Sequence, residues 1–329
     1  MTTKSTVSAI VVTWNSQNDI IACLNSLQRQ TYPLKEITLV DNCSHDGTIK
    51  IIQECFPDVF IEARIWNEGF AQANNIGIGQ TDSEWVLTLN PDVKLAANWV
   101  ETLLGFAEGK DKIGALGGLL WRWDDKESGI IDSTGIEIFT SRRVRDRHFG
   151  APREAAPGQP EQVFGICAAA ALYRREMLED IAIQKQYFPK RFFCYYEDAD
   201  LAWRAWRRDW EAWTVPAAQG WHRRGASPNA GHFSRYLTQR NRAWLIIRND
   251  NIDSLLRDAP YIFMHELIMA LRILRYPTLA KAVLEAVAGI GEAFKERREL
   301  IAINLKAPPF RKGIGFSRKD WQDVRKNLL

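Results

Sequence analysis

The sequence predicts an α/β protein built on an open, mostly parallel sheet and followed by a helical C-terminal region. Three observations carry that expectation. Between residues 7 and 89, short apolar, β-branched runs alternate with stretches of helical periodicity, the pattern of strands joined by crossover helices. Several of these runs end in a polar turn containing Asn or Asp. Beyond about residue 226 the strand pattern stops and only helical spacing remains. A chain of 329 residues holds one large domain or two smaller ones, and the expected division is 1–225 and 226–329.

Residues 7–14 (VSAIVVTW) are continuously apolar, as in a strand buried on both faces. Ser16 is placed to cap the next helix, whose buried face is Ile20, Leu24 and Leu27. Strand 36–40 ends at Asp41, and the polar turn Asn42–Gly47 leads to a helix carrying Ile51, Ile52 and Cys55. A third strand lies near 59–64, before the turn WNEGFAQANNIGI; a fourth, WVLTL (85–89), ends at Asn90-Pro91-Asp92. In open α/β sheets ligands bind beyond the carboxyl ends of the strands, where Asp41, Asn67 and Asp92 fall.

From about 120 to 162 the Arg, Gly and Pro content predicts a long mobile loop. Residues 165–178 predict a short strand and a helix. Segment 192–204 (FFCYYEDADLAWR) then sets Glu197, Asp198 and Asp200 between an aromatic run and a helix start. Aromatic walls raise a carboxylate's pKa, which suits a general base. The helix dipole favours the same acids as caps, so this segment alone leaves both readings open. EAWTVP (211–216) reads as a strand and QGWHRRGAS as the turn after it. Helices are predicted over 233–248, 260–275 and roughly 278–300, then an irregular tail over 306–319.

Composition excludes some classes. Net charge is +3, but residues 226–329 hold eighteen Lys and Arg against ten Asp and Glu. That excess suggests an anionic partner, and no basic stripe accompanies a nucleic-acid module. The five cysteines show no metal-ligand spacing and read as reduced thiols. With no signal-peptide pattern and no apolar run long enough to span a bilayer, a cytoplasmic chain is expected. The amphipathic C-terminal helices would place it at the inner face of a membrane, burying Trp244 and Ile246 or Phe263, Leu267 and Leu271 in the interface. The alternative is a subdomain packed on the core or on a second copy of the chain, a homo-oligomer.

The ordered series VVTWNS, VDNCSHDGT, NEGFAQANNIGI, LNPDV, YYEDADLAWR and WHRRGAS resembles the family 2 glycosyltransferases of the GT-A fold, most of all their rhamnosyltransferase-like branch. The likeness covers residues 6–225. It implies a nucleoside diphosphate sugar donor, dTDP- or UDP-linked, and a saccharide or lipid-linked saccharide acceptor of bacterial surface polysaccharide synthesis. L-rhamnose is the sugar it favours. By the same resemblance Thr13, Asn15, Asp41, Asn42, Asn67, Gly69 and Asn75 line the donor. Asp41 would accept the pyrimidine N3–H, although Asp-Asn-x-Ser is also good turn chemistry. Gly69 would let the backbone approach the ligand, and Asn75 reads equally as a solvated face. Asn90-Pro91-Asp92 stands where the family carries DxD, with Asn in the first place. Asp92 and His222 would hold Mg²⁺ or Mn²⁺ against the diphosphate, and Asn90 would contact ribose or sugar. Asp198 falls on the catalytic base, and Glu197 orients the loop or acceptor. Asp200 binds acceptor or caps the helix. Gly165 belongs where donor and acceptor meet, and Ala168 to Ala171 either leave room there or pack closely. Arg223 and Arg224 face phosphate or solvent.

Two other classes share parts of this pattern. A sugar-1-phosphate nucleotidyltransferase would carry a Gly-rich basic loop where this chain has TWNSQN. A non-catalytic carbohydrate-binding scaffold would lack the acids.

Overall fold

The computed structural model describes residues 4–123, 129–224, 230–273, 276–301 and 308–316. The four predicted strands form as expected: β1 (Val7–Thr13), β2 (Glu36–Asp41), β3 (Phe60–Ala63) and β4 (Trp85–Leu89). They pair in parallel, with Thr13 beside Asp41 and Val11 beside Leu89. Helices α1 (Ile20–Gln28), α2 (Thr48–Cys55) and α3 (Phe70–Gly79) make the crossovers. Short β5 (Val93–Leu95) and α4 (Trp99–Ala107) follow, then β6 (Ile113–Arg122), three-residue strands β7 (Ile131–Ser133), β8 (Ile136–Ile138), β9 (Val144–Asp146) and β10 (Glu161–Val163), and β11 (Ala170–Arg174). Helices α5 (Arg175–Ile181) and α6 (Glu197–Arg207) precede the long β12 (Glu211–His222).

The main sheet runs β10-β12-β6-β11-β4-β1-β2-β3, with β5 on β12 and β7 on β6. Strand β11 enters antiparallel between β4 and β6, so the sheet is mixed at its centre. Both faces are covered, which explains the unbroken apolar strands. Ala9 and Val11 point to one side, with Leu24, Trp99 and Leu103. Ile10 points to the other, with Ile78, Met177 and Leu201.

Several expectations change. Asp19, not Ser16, stands at the N-cap of α1, while the Ser16 carbonyl accepts from the Asp19 and Ile20 amides. Residues 120–162 form no mobile loop across the described part of the segment. Strand β6 runs into it, and β8 and β9 make a hairpin. Strands of three residues are too short to show a period, and Arg142, Arg145 and Arg147, which read as loop composition, are ion-paired. Arg142 is fully buried between Asp250 and Asp258, at 2.6 Å from each, and Arg147 meets Glu161. Residues 124–128 of that expected loop lie outside the described residues. Strand β12 continues past EAWTVP, through a register shift after Thr214, so His222 ends a strand and does not sit in a turn.

The C-terminal helices are α7 (Ala230–Asn249), α8 (Ile252–Ile273), α9 (Thr278–Ala288) and α10 (Ile290–Ile301). Helix α8 starts eight residues before Pro260, where Asn251 Oδ1 accepts from the Ser254 amide. Gly289 divides the third expected helix in two. Trp244 and Leu245 of α7 pack with Phe192 and Trp203, and Trp244 Nε1 donates to Ala286 O. Trp244 is therefore part of a protein core, which removes α7 from the expected lipid-facing surface. Residues 308–316 of the predicted tail dock on the hairpin. Arg311 pairs with Phe139 in a bridge, and Phe310 lies against Trp203.

Candidate active site

The carboxyl ends of β4 and β12, the amino end of the antiparallel β11 and the N-terminus of α6 close around a cleft of about 360 Å³. Asn90, Asp92, Asp198 and His222 all line it, with Glu197, Asp146 and Arg224. Four separate sequence segments are thus brought to one space.

Asp92 follows the turn after β4, and His222 ends β12, which pairs with β5 at Val93. The imidazole Nε2 stands 3.3 Å from Asp92 Oδ1, and Nδ1 stands 2.9 Å from Asp132 Oδ2. Burial opposes charge on this ring, but the two carboxylates win and push its pKa up to about 9. Burial likewise opposes charge on Asp92, and the imidazolium prevails, holding the carboxyl below its usual range. Arg224 completes the chain, 2.7 Å from Asp132 and 2.6 Å from Asp146.

An imidazole nitrogen and a carboxylate oxygen at this spacing, facing one cleft, fit a divalent cation as a two-ligand donor set. A ring whose other nitrogen is held by a carboxylate is the usual arrangement of a metal-bound histidine. Among the described residues no group of three His, Cys, Asp or Glu side chains gathers for a metal. The remaining positions would fall to phosphate oxygens and water, as Mg²⁺ prefers.

Asp198 sits in the first turn of α6. Burial, reinforced by the Asp146 charge, pushes its carboxyl up to about 6, against the pull of the Ala199 and Ala168 amides. Glu197 is buried, and its pKa is raised well above the ordinary range by burial and by the Asp198 charge. The loop that delivers these acids has Phe193, Tyr195 and Tyr196 all at φ between 66° and 70°, an uncommon conformation for non-glycine residues. Asn241 of α7 holds it: Nδ2 donates to the carbonyls of Phe192, Cys194 and Tyr195 at 2.8–2.9 Å.

Other expected site residues are placed differently. Asp200 is fully buried and is neither a cap nor an acceptor contact. It pairs with Arg204 and Arg248 at 2.8 Å each and accepts from Asn249. Asn75 faces the protein: its amide donates to Phe188 O, and its Oδ1 accepts from the Tyr187 and Phe188 amides. Gly69 (φ +85°) makes its close approach to Phe193, where a Cβ would lie 2.5 Å from the ring. Gly165 admits α6, since a Cβ would meet that of Ala202 at 2.5 Å. Of the alanine run, Ala168 and Ala169 line the cleft, whereas Ala170 and Ala171 are strand core.

Thr13, Asn15, Asp41, Asn42 and Asn67 lie outside the residues lining the cleft, at the ends of β1 to β3. Asp41 is 2% exposed and accepts from Thr13 Oγ1, Ser44 Oγ and the Ser44 amide. Asn15 Oδ1 accepts from the His45 amide, Asn42 bridges to Gly69 O, and Asn67 Oδ1 accepts from the Gly69 amide. These side chains build the turns along the carboxyl edge. Arg223 meets Asp19 at 3.2 Å. The sequence reading missed Asp132, Asp146 and Asn241, because each acts through a partner about 45 to 90 residues distant and none stands in a local motif.

A mixed sheet with its cleft at the carboxyl ends, metal-suited ligands and a buried acid defines the GT-A architecture. The chain belongs to glycosyl transferase family 2, whose model matches residues 8–182. It is 26% identical over 267 residues to N-acetylglucosaminyl-diphospho-decaprenol L-rhamnosyltransferase of Mycobacterium tuberculosis, covering 71% of this chain and 85% of that one. An uncharacterized glycosyltransferase of Haemophilus influenzae is 30% identical over 130 residues, 39% of this chain and 40% of the relative. The solved structure of GalNAc-T7 with UDP, GalNAc and Mn²⁺ aligns at TM-score 0.62 and 13% identity, over 98% of this chain and 57% of that chain. The mannosyltransferase PcManGT from Pyrobaculum calidifontis, in complex with GDP-Man and Mn²⁺, aligns at TM-score 0.55 and 18% identity, over 92% and 86%. These likenesses concern the fold.

Proposed function

We propose that the protein is an inverting, metal-dependent glycosyltransferase that moves a sugar from a nucleoside diphosphate to a saccharide or lipid-linked saccharide acceptor. The observation that carries this reading is the shared cleft. Asp198, poised near neutral pH by burial, faces the same space as Asn90 and the Asp92–His222 pair. Asp198 takes the proton from the acceptor hydroxyl as that oxygen attacks the anomeric carbon. The carbon–oxygen bond to the diphosphate breaks on the opposite face, and the sugar passes through an oxocarbenium-like state. Asp92 and His222 would hold Mg²⁺ or Mn²⁺, which would supply positive charge toward the departing diphosphate. Asp132 fixes the His222 ring, and Asn90 faces the donor's ribose or sugar.

The finer assignments rest on the relatives. L-rhamnose as the transferred sugar is supported by the mycobacterial L-rhamnosyltransferase, and a dTDP carrier follows only from the family resemblance of the motifs. A pyrimidine base would lie over the turns of Asp41, Asn15 and Asn67, and its N3–H would use the lone pair that Thr13 and Ser44 leave on Asp41. A lipid-linked acceptor agrees with the exposed apolar stripe of α8, which includes Phe263, Leu267 and Leu271. No helix among the described residues is long and apolar enough to cross a membrane, so contact would be peripheral.

Labelled nucleoside diphosphate sugars offered to the full chain with Mn²⁺ and a sugar-diphosphate-lipid acceptor test the reading. Transfer with inversion, lost in Asp198→Asn while donor binding survives, is the expected result. Full turnover by Asp198→Asn, or in excess chelator, would refute it.

A further inference from the structure

Asp146, the last residue of β9, uses only one of its carboxylate oxygens within the protein. Oδ2 accepts from Arg224 Nη2 at 2.6 Å. Oδ1 is buried and has no hydrogen-bond partner among the described residues. Arg224 is held in turn by Asp132 at 2.7 Å, and the other oxygen of Asp132 holds His222. The Asp146 carboxylate is therefore fixed in place and tied to the metal-suited pair, with one oxygen left over. A buried oxygen without a partner costs stability, and native proteins keep few of them without a purpose.

Asp146 lines the same cleft as Asp198, and no other side-chain charge acts as strongly on the Asp198 carboxyl. Glu197 Oε2 is also buried and unpartnered, but it belongs to the same helical turn as the base. Asp146 comes from the opposite side of the chain's fold and has a second property. It also lines a hollow of about 430 Å³ that adjoins the cleft, between β9 and helices α7, α8 and α9. Among the described residues it is the one carboxylate common to both linings. Asn90, Asp92 and His222 line the cleft and not the hollow.

We propose that Asp146 binds the acceptor: its Oδ1 accepts a hydrogen bond from the hydroxyl next to the one that Asp198 deprotonates, so the acceptor is a pyranose with two adjacent free hydroxyls at the point of attack. The assignment rests on the transferase reading above. The donor's diphosphate has its place at the Asp92 and His222 end, which leaves the hollow as the acceptor's way in. An acceptor reaching Asp198 from there passes Asp146. A carboxylate is a strong acceptor for a hydroxyl donor, and two carboxylates facing one space suit two neighbouring hydroxyls. One of these gives its proton to Asp198 as its oxygen attacks; the other keeps its proton and only orients the ring. Because Arg224 already holds Asp146, little order has to be created when the acceptor arrives.

Acceptors paired with their deoxy analogues test this. Alkyl hexosides and hexose-diphosphate-lipids are offered to the full chain with a labelled nucleoside diphosphate sugar and Mn²⁺ at about pH 8, above the range in which Asp198 titrates. NMR of the product fixes the attacked carbon. Of the analogues lacking a hydroxyl on a neighbouring carbon, one should raise the wild-type acceptor KM about tenfold or more. In Asp146→Ala the parent acceptor and that analogue should differ by less than about twofold, both near the wild-type KM for the analogue. Metal-dependent binding of a nucleoside diphosphate should persist in Asp146→Ala, which also shows that the variant folds. The wild-type comparison needs no variant and decides by itself if Asp146→Ala does not fold. Equal wild-type KM for parent and analogues, undiminished discrimination by Asp146→Ala, a rise in KM for the donor alone, or transfer to no hexose of the panel would overturn the assignment. If the donor is still cleaved with Mn²⁺ through such a failure, the Asp146 assignment falls and the transferase reading stands.

Discussion

Asp132 grips His222: the carboxylate Oδ2 lies 2.9 Å from Nδ1, and Nε2 is thereby turned toward Asp92. Both partners are buried. A carboxylate behind a ligating histidine fixes its ring orientation and raises its basicity. Asp132→Asn should therefore weaken Mn²⁺ affinity about 10–100-fold. Titration calorimetry with Mn²⁺ and nucleoside diphosphate measures this. Unchanged affinity would show that Asp132 only balances Arg224.

Asp198 gives a pH prediction. Its carboxyl is pushed up to about 6, and the acids facing it are Glu197 and Asp146. The base is active when ionised, so kcat should rise with pH to a plateau above about 6. Asp198→Asn should lower kcat about 10²–10⁴-fold. The stability sign is opposite. A raised folded pKa means the folded state holds the proton more tightly, so stability falls as pH climbs from the ordinary carboxyl range to about 6. Asp198→Asn should melt higher than wild type at pH 7.5, with the difference vanishing near pH 4. A flat rate profile across pH 5–8 would count against Asp198 as base.

The acid-bearing loop depends on a residue from the C-terminal region. Asn241 bonds three of its carbonyls from within α7, and the loop's left-handed residues would relax without it. Asn241→Ala should cut kcat more than tenfold and leave nucleotide affinity within twofold. An unaltered kcat would mean the loop holds its own shape.

Asp200 sits between Arg204 and Arg248, fully buried, with Arg248 also meeting Glu296. Burial would raise its pKa, but the two guanidinium charges hold it far below the carboxylate range. Removing one partner strands two buried charges. Asp200→Ala should cost about 3–5 kcal/mol, read by denaturant unfolding. A loss below 1 kcal/mol would show that water enters the site.

On α8, Ile252, Leu256, Phe263, Leu267 and Leu271 are all exposed and recur at helical spacing. Phe263→Asp with Leu267→Asp should abolish co-sedimentation with vesicles rich in anionic lipid and leave Tm within a few degrees. Retained sedimentation would rule out this stripe as the contact.

The sequence by itself determined the parallel strands β1 to β4, the turns at their carboxyl ends, and the candidate roles of Asp92, Asp198 and His222. These are legible because strand periodicity and turn chemistry are local, and because six motifs stood in family order. Only the tertiary structure decided what neighbours do. It showed Asp200 bound to arginines of two helices, Asn75 tied to the backbone of 187–188, and residues 129–162 folded into short strands. It also brought Asp132 to His222 and Asn241 to the acid loop. The physical reason is range. A polar side chain has the same local signature whether it meets water, a ligand or a partner some fifty residues away, and burial selects among them only once the chain has closed on itself.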